Sequence, residues 1–342
     1  MDHNTIHIIV TGDIHGRFHA SDPVTATPVP GSLARVSGYV DALRRRVGRG
    51  NVILADNGDL FTGSPSSFCL NYLLPSSPVP AIISAMGYDL LNSGNHDLEM
   101  ATLPVAGIPI LGANTGHKPH TVITRGGIRI GFTGMLTDST PHLFNGVEVT
   151  SMSDVMPPAD ADFNIALIHA GTDEIPPVTA QRYDVVVCGH DHRPRITTIG
   201  STPVINPGAG GVNLVHITLS SSGMRCAIVT ISDIKPAFPT PSLPSPHVRI
   251  TDSLHTLIRM AFLSVYPEAT QIILPSVNDT PSPSGTDILT LLPYDDHICL
   301  ASDPTDTQVP TIVTDTHTAC CRRLKIHSVS PLPLKSYMLE PY

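Results

Sequence analysis

The sequence predicts an α/β layered fold, because short apolar runs alternate with helical stripes over its first two-thirds. The first apolar run, residues 6–10, predicts a strand that stops at Thr11 and Gly12. A helix is predicted next, where apolar residues recur at steps of three and four: Leu33, Val36, Val40, Leu43 and Val47. Gly48 follows as a typical helix end. The 342 residues are enough for about two domains.

Further strands are predicted in chain order from the remaining apolar runs. Their ranges are 51–55, 88–91, 108–111, 121–124, 127–132, 163–168, 184–188, 204–206 and 212–219. A short helix is predicted at 81–86, and Arg125-Gly126 joins the fourth and fifth of these runs as a hairpin. These elements predict a first domain that covers residues 1–232.

A proline-rich stretch follows the last of these strands. It contains Pro236, Pro239, Pro241, Pro244 and Pro246. Because this composition favours an extended, semi-rigid connector, we predict a linker at 233–247 and a small α+β domain at 248–342. One helical stripe is predicted in that second domain, formed by Leu254, Leu257, Ile258, Ala261, Phe262 and Val265.

Composition argues against two classes of function. Lys and Arg total 20 against 29 Asp and Glu, and the formal charge of −9 repels nucleic-acid polymers. No run of about 18 apolar residues is present, so no membrane span is predicted. The first residues lack the basic stretch and apolar block of a secretory signal. We therefore expect a cytoplasmic protein as the sequence is written, or a periplasmic or extracellular one if the start is misassigned.

Five clusters of His, Asp and Asn stand at or just beyond the ends of predicted strands, where open α/β sheets place their ligands. They are 12–16 (Gly-Asp-Ile-His-Gly), 56–59 (Asp-Asn-Gly-Asp), 94–97 (Gly-Asn-His-Asp), 169–171 (His-Ala-Gly) and 189–192 (Gly-His-Asp-His). In the first cluster, a two-residue step on extended chain points Asp13 and His15 to the same side. Any one such pair is typical of a turn. All five together, each after a strand, favour a shared metal site.

The order of these clusters resembles the signature of the calcineurin-like metallophosphoesterase superfamily: Asp-x-His, Gly-Asp, Gly-Asn-His-Asp/Glu, His, then Gly-His-x-His. Residues 56–65 and 94–99 are similar to the branch that contains 5′-nucleotidases and 2′,3′-cyclic-nucleotide phosphodiesterases. The likeness extends over about residues 5–220 and implies a β-sandwich flanked by helices in αββα layers. Residues 285–296 are similar to part of that branch's C-terminal domain, which is shortened here.

The resemblance implies two divalent metal ions and their ligands. One ion would be held by Asp13, His15, Asp59 and His192, and the other by Asp59, Asn95, His169 and His190. Asp59 would bridge both ions. Mixed oxygen and nitrogen donors suit Mn, Zn, Fe or Mg and leave the identity of the metal open. In such a centre a hydroxide held between the ions attacks the phosphorus of a phosphate ester.

His96 directly follows Asn95, so we expect it beside the metals, where it would stabilise the transferring phosphoryl group or protonate the leaving oxygen. Both Asp97 and Glu99 are candidates for the carboxylate that orients His96, with Glu99 slightly favoured. For either acid, a plain role in the first turn of a helix is the alternative.

Two further residues are candidates for contact with the substrate. Asn114 would contact its phosphate by family likeness, with a turn asparagine as the alternative. Tyr294 would stack on a base, with a core aromatic as the alternative.

The expected function is that of a 5′-nucleotidase-like phosphomonoesterase that acts on a small phosphate ester, most simply a nucleotide. Two alternatives stay open at this point: a cyclic-nucleotide phosphodiesterase or other phosphatase with the same metal centre, and a catalytically silent scaffold. The scaffold is disfavoured because none of the seven expected ligands is missing. The sequence does not indicate an oligomeric state.

Overall fold

The computed structural model describes most of the chain. It covers residues 5–340 except 101–102, 104, 139–146, 244–245, 249–251, 268, 270, 273–276, 278, 293, 295, 304–305 and 314–324. Six α-helices are described within these residues, namely α1 (Leu33–Val47), α2 (Val79–Met86), α3 (Asn95–Glu99), α4 (Pro177–Ala180), α5 (Leu254–Val265) and α6 (Gly285–Leu291). No helix in the described part of the chain combines the length and the apolar character needed to cross a bilayer.

Twelve strands build two large sheets. They are β1 (Ile6–Thr11), β2 (Val52–Asp56), β3 (Leu90–Asn92), β4 (Ile110–Leu111), β5 (His120–Arg125), β6 (Ile128–Leu136), β7 (Phe163–His169), β8 (Val185–Cys188), β9 (Arg195–Ile199), β10 (Thr202–Asn206), β11 (Asn213–Ser220) and β12 (Gly223–Thr230). The first sheet has the order β12-β11-β1-β2-β3-β4 and the second β5-β6-β7-β8-β10-β9. In the first sheet β1 to β4 are parallel, and β11 and β12 pair antiparallel at one edge. In the second sheet β6, β7, β8 and β10 are parallel, and β5 and β9 pair antiparallel at the two edges.

The two sheets pack face to face, with helices on the outside. Side chains alternate along β1, so Ile8 and Val10 enter the core between the sheets, while Ile9 faces the cluster that includes Leu33 and Val36 of α1. The outer face of the second sheet is covered by residues around α4. This arrangement confirms the predicted layers of two central sheets flanked by helices.

Two strands at sheet edges were not predicted. Most of β9 is exposed, and no residue of β12 is fully buried, although its alternate residues Met224, Cys226 and Ile228 pack partly on the core between the sheets. Helix α1 ends where the sequence predicts, because Gly48 takes a positive φ of 89° and its N–H bonds the carbonyl of Arg44.

The C-terminal part of the chain contains α5, α6 and smaller sheets. Its strands are β13 (His247–Val248), β14 (Gln271–Ile272), β15 (His297–Asp303), β16 (Asp306–Val313), β17 (Lys325–Pro333) and β18 (Leu339–Glu340). The apolar faces of α5 and α6 pack on Phe68, Cys69 and Leu73, which belong to the first part of the chain. The described residues between β12 and β13 contain no helix or strand. The domain limits at 232 and 248 stay predictions.

Candidate metal centre

The loops after the parallel strands meet at one edge of the sandwich. Strands β1 and β2 run side by side in register, with Thr11 opposite Asp56, and the loops that follow them bond to each other. The N–H of Asp13 donates to the carbonyl of Gly58 at 2.9 Å, and that of His15 donates to the carbonyl of Asp59 at 2.8 Å. The side chains of the first two clusters therefore start from adjacent backbone.

Five of the seven predicted ligands have left-handed backbone. Their φ angles are 50° at Asp13, 53° at His15, 54° at Asp59, 69° at His190 and 57° at His192. Such angles are uncommon for residues other than glycine and cluster at functional sites, where the surrounding structure holds them. At the neighbouring Gly94, any Cβ would collide with Asp59, so only glycine allows the two loops to approach this closely.

Three of the predicted ligands form a first group of donor atoms. The Nε2 atoms of His15 and His192 lie 2.9 Å apart. Both face Oδ1 of Asp13, at 3.7 Å from His15 and 3.3 Å from His192. All three ligand atoms lie within 4.8 Å of one another, a spacing that allows them to bind one metal ion.

A second group contains the other four predicted ligands. Nε2 of His169 lies 3.2 Å from Oδ2 of Asp59 and 3.2 Å from Oδ1 of Asn95. The same Asn95 oxygen lies 3.1 Å from Nδ1 of His190. Oδ2 of Asp59 is also 3.9 Å from Nε2 of His15, which belongs to the first group. The structure thus brings all seven predicted ligands together, with Asp59 between the two groups.

The hydrogen bonds around the histidines fit a cation in each group. Nδ1 of His15 faces the carbonyl of Thr62 at 3.0 Å, and Nδ1 of His169 faces that of Asn57 at 2.9 Å. Because a carbonyl only accepts, each Nδ1 carries a hydrogen, and in the neutral form of either ring the lone pair of Nε2 points into the site. At His169 that lone pair meets the oxygens of Asp59 and Asn95. Three acceptors that converge in this way call for a positive charge among them.

The pKa values of two buried histidines reflect the same charges. Burial lowers the pKa of His15 to about 4, so this ring is neutral at physiological pH. Burial also opposes a charge on His169, but the Asp59 carboxylate bonded to it outweighs burial and raises the pKa of His169 to about 10. A proton on His169 thus supplies the positive charge when no metal does so.

Metal uptake is therefore expected to release at least one proton at neutral pH. His169 is protonated below its pKa of about 10 and must lose that proton before Nε2 can bind a metal. Affinity for Mn²⁺ or Zn²⁺ should then rise with pH by about tenfold per unit between pH 7 and 9. Calorimetric titrations in two buffers of different ionisation enthalpy count the released protons. A heat that is identical in both buffers would contradict this assignment.

His96 lies beside the second group without joining it. Its backbone N–H donates to Oδ1 of Asp59 at 2.9 Å, and its Nδ1 bonds Oε2 of Glu99 at 3.0 Å. Burial opposes a charge on His96, but Glu99 and Asp59 outweigh burial and raise its pKa well above the ordinary value. The imidazole is thus oriented by Glu99 and carries a proton next to the candidate metal centre.

Asp97 is placed differently from Glu99. Its carboxylate accepts the backbone N–H groups of Asp59 at 2.7 Å, Leu60 at 3.1 Å and Gly94 at 3.0 Å. The predicted role of Asp97 as a direct partner of His96 therefore needs correction, because its oxygens hold the two ligand loops together. Glu99, three positions after His96, is the acid that reaches the imidazole.

Of the two predicted substrate residues, only Tyr294 reaches the site. Its ring stacks on His96 with centroids 4.4 Å apart and planes 6° apart, and it meets the edge of His15 at 5.6 Å. Asn114 is only 1 % exposed, donates to the carbonyls of Leu136 and Thr150, and accepts the N–H of Leu136. Its amide is used within the fold, which corresponds to the structural alternative given above and corrects the predicted phosphate contact.

Two features of the site were not predicted from the sequence. The buried amide of Asn92 donates to Oδ1 of Asn57 at 3.1 Å and to carbonyls of the second sheet, which ties the sheets together below the centre. Asp296 forms a third group of potential ligand atoms with His96 and Glu99, again within 4.8 Å. The only signal for Asp296 was its place two residues after Tyr294 in a segment that already attracted notice.

Comparison with known proteins finds one matching family model and several similar proteins. The family model for the calcineurin-like phosphoesterase matches residues 6–194. The 5′-nucleotidase of Bos taurus is 28 % identical over 259 residues, which cover 65 % of this chain and 43 % of that protein. Protein UshA of Salmonella pullorum is 30 % identical over 172 residues, 46 % of this chain and 30 % of that protein. The chain thus spans less than half of the length of these relatives.

Solved structures extend the similarity of fold into the C-terminal part. A putative 5′-nucleotidase from Staphylococcus aureus aligns with a TM-score of 0.66 at 18 % identity, covering 87 % of this chain and 74 % of that one. A 5′-nucleotidase precursor from Thermus thermophilus aligns with a TM-score of 0.59 at 16 % identity, covering 87 % and 75 %. At such identities the likeness establishes the fold alone.

Proposed function

Because the chain belongs to the calcineurin-like phosphoesterase family, we propose that it is a two-metal phosphomonoesterase that hydrolyses a small phosphate ester, with a nucleoside 5′-monophosphate as the substrate. One observation carries the proposal. Seven side chains from five segments of the chain converge on two adjacent groups of donor atoms, with Asp59 between them.

Each group has a chemically suitable set of ligands for a divalent ion. Asp13, His15 and His192 would hold one ion, and Asn95, His169 and His190 would hold the other, with Asp59 available to both. A pair of divalent ions supplies positive charge that binds phosphoryl oxygens and lowers the pKa of a water molecule. This requirement explains why the protein buries two carboxylates among four imidazoles.

The chain's own residues would contribute acid catalysis and orientation. His96 is held through its Nδ1 by Glu99, which leaves the other ring nitrogen to donate a hydrogen bond. With its raised pKa, His96 would donate to an oxygen of the transferring phosphoryl group or give its proton to the leaving oxygen. The Tyr294 ring lies against His96, so a leaving nucleoside would pass beside this ring.

The nucleotide as substrate is supported by the relatives named as 5′-nucleotidases, which include the Bos taurus protein. It is also supported by an aromatic ring at the site, since bases stack well on such rings. The same metal centre is compatible with hydrolysis of a cyclic phosphodiester, and the substrate panel below separates the two activities.

The test is hydrolysis by the full chain loaded with Mn²⁺, and in parallel with Zn²⁺. Three substrates separate the hypotheses: AMP, 2′,3′-cyclic AMP and 4-nitrophenyl phosphate. We expect phosphate release from AMP that stops when a chelator is added and resumes when the metal is restored. Turnover of the cyclic diester alone would favour the phosphodiesterase, and a folded, metal-loaded protein inert to all three would favour the silent scaffold.

A further inference from the structure

A carboxylate from the C-terminal part of the chain lies beside His96. The side chains of Asp296, Glu99 and His96 each place one polar atom within 4.8 Å of the other two. Tyr294, two residues before Asp296, stacks on the same imidazole. One short segment therefore brings both an aromatic ring and a carboxylate to His96.

Two carboxylates therefore lie beside one imidazole, so a proton on His96 would offset the charge of only one of them. Glu99 is bonded to Nδ1 of the ring, whereas Asp296 comes from a different part of the chain and is half-buried. A charge in such a position is screened less than one on an open surface.

The local charge bears on the leaving group of the reaction. Water attacks phosphorus, its oxygen stays with the phosphate, the bond from phosphorus to the ester oxygen breaks, and that oxygen takes up a proton. From AMP the group that leaves is a neutral nucleoside. From ADP, cleavage at the terminal phosphorus expels AMP, which is an anion. Because His96 is proposed to serve the leaving oxygen, either leaving group lies next to the Asp296 carboxylate.

We infer that Asp296 is a specificity-determining residue, which selects phosphate monoesters with a neutral leaving group and disfavours phosphoanhydrides with an anionic one. This inference rests on the proposed function and narrows its substrate class. Asp296 lies outside the segment 6–194 that matches the family model, so the selection is a property of this chain's C-terminal part.

The test compares Asp296→Asn with wild type by the ratio of kcat/KM for AMP to that for ADP. The ratio should fall by about tenfold in Asp296→Asn, chiefly through faster turnover of ADP. Asp296→Glu should keep a ratio close to that of wild type. The matched control is Asp252→Asn, because Asp252 is an exposed acid that changes net charge equally and makes none of the described contacts with His96.

A second measurement on the wild type does not depend on any variant's folding. Phenyl phosphate should be hydrolysed faster than 4-carboxyphenyl phosphate, whose leaving group carries an extra anion, and added salt should narrow the difference. Equal rates in that pair, or an unchanged AMP to ADP ratio in a folded Asp296→Asn, would overturn the inference. So would a third bound metal ion that disappears with Asp296→Asn. If the wild type hydrolyses none of these compounds, the proposed function fails, and this inference fails with it.

Discussion

Replacement of Asp59 by asparagine is expected to remove bound metal and hydrolytic activity together. Oδ2 of Asp59 lies 3.2 Å from Nε2 of His169 and 3.9 Å from Nε2 of His15, so both groups of donors lose their shared charge. We expect fewer than two metal ions per chain and a fall in kcat of about 10³-fold or more. Elemental analysis of the dialysed protein and phosphate release from AMP provide the two readouts.

Asparagine is the sharpest substitution at this position. It keeps the shape of the side chain and tolerates the left-handed φ of 54° that Asp59 adopts, so the loop is expected to fold. The control is Asp162→Asn, which removes the charge of an exposed acid paired with Arg129. That control should keep both ions and the full rate. Two tightly bound ions in Asp59→Asn would refute the bridging role.

Replacement of His96 by asparagine is expected to leave the metal content intact and to lower the rate. The contact of His96 with Asp59 is made by its backbone N–H, which the substitution preserves. Only the imidazole that Glu99 orients is lost. General acid catalysis and a hydrogen bond to the phosphoryl group predict a fall in kcat of about 10²–10⁴-fold. Metal analysis and steady-state kinetics measure the two effects separately.

The control for His96 is His255→Asn on α5. His255 is another partly buried imidazole, and one of its ring nitrogens bonds the carbonyl of Val277 in the C-terminal part of the chain. It should show neither effect. Loss of an ion in His96→Asn would make His96 a metal ligand, contrary to the role proposed above, and an unchanged kcat would remove it from the reaction.

The layers of the fold could be predicted because buried strands carry their own signal. Strand β1 alternates between two cores, and α1 presents one apolar stripe that ends at Gly48, so pattern and structure agree. The edge strand β12 was not predicted. It has one partly buried face, which includes Met224, Cys226 and Ile228, and its backbone pairs with that of β11.

The residues of the candidate site, too, could be predicted only in part. The order of the five clusters predicted which side chains would meet, because parallel strands end at one edge of a sheet. The choice between Asp97 and Glu99 needed local geometry. Residues 95–99 form helix α3, in which a residue three positions on lies on the same face, so Glu99 reaches His96 and Asp97 does not.

The remaining assignments depend on tertiary contacts that a single sequence does not reveal. Asn114 stands at a strand end, as a substrate residue would, but neighbouring carbonyls engage its amide. Asp296 reaches His96 only because the C-terminal part packs on the first part through the cluster that includes Phe68. No periodicity in the sequence encodes that contact.

The donors of each group come from both halves of the sandwich. Asp13 and His15 follow β1 in the first sheet, while His192 follows β8 in the second. In the other group, Asp59 follows β2 in the first sheet, and His169 ends β7 in the second. An ion bound there would act as a removable cross-link between the layers. Metal binding and folding would then be one linked equilibrium, so removal of the metal would lower the free energy of unfolding as well as abolish the proposed activity.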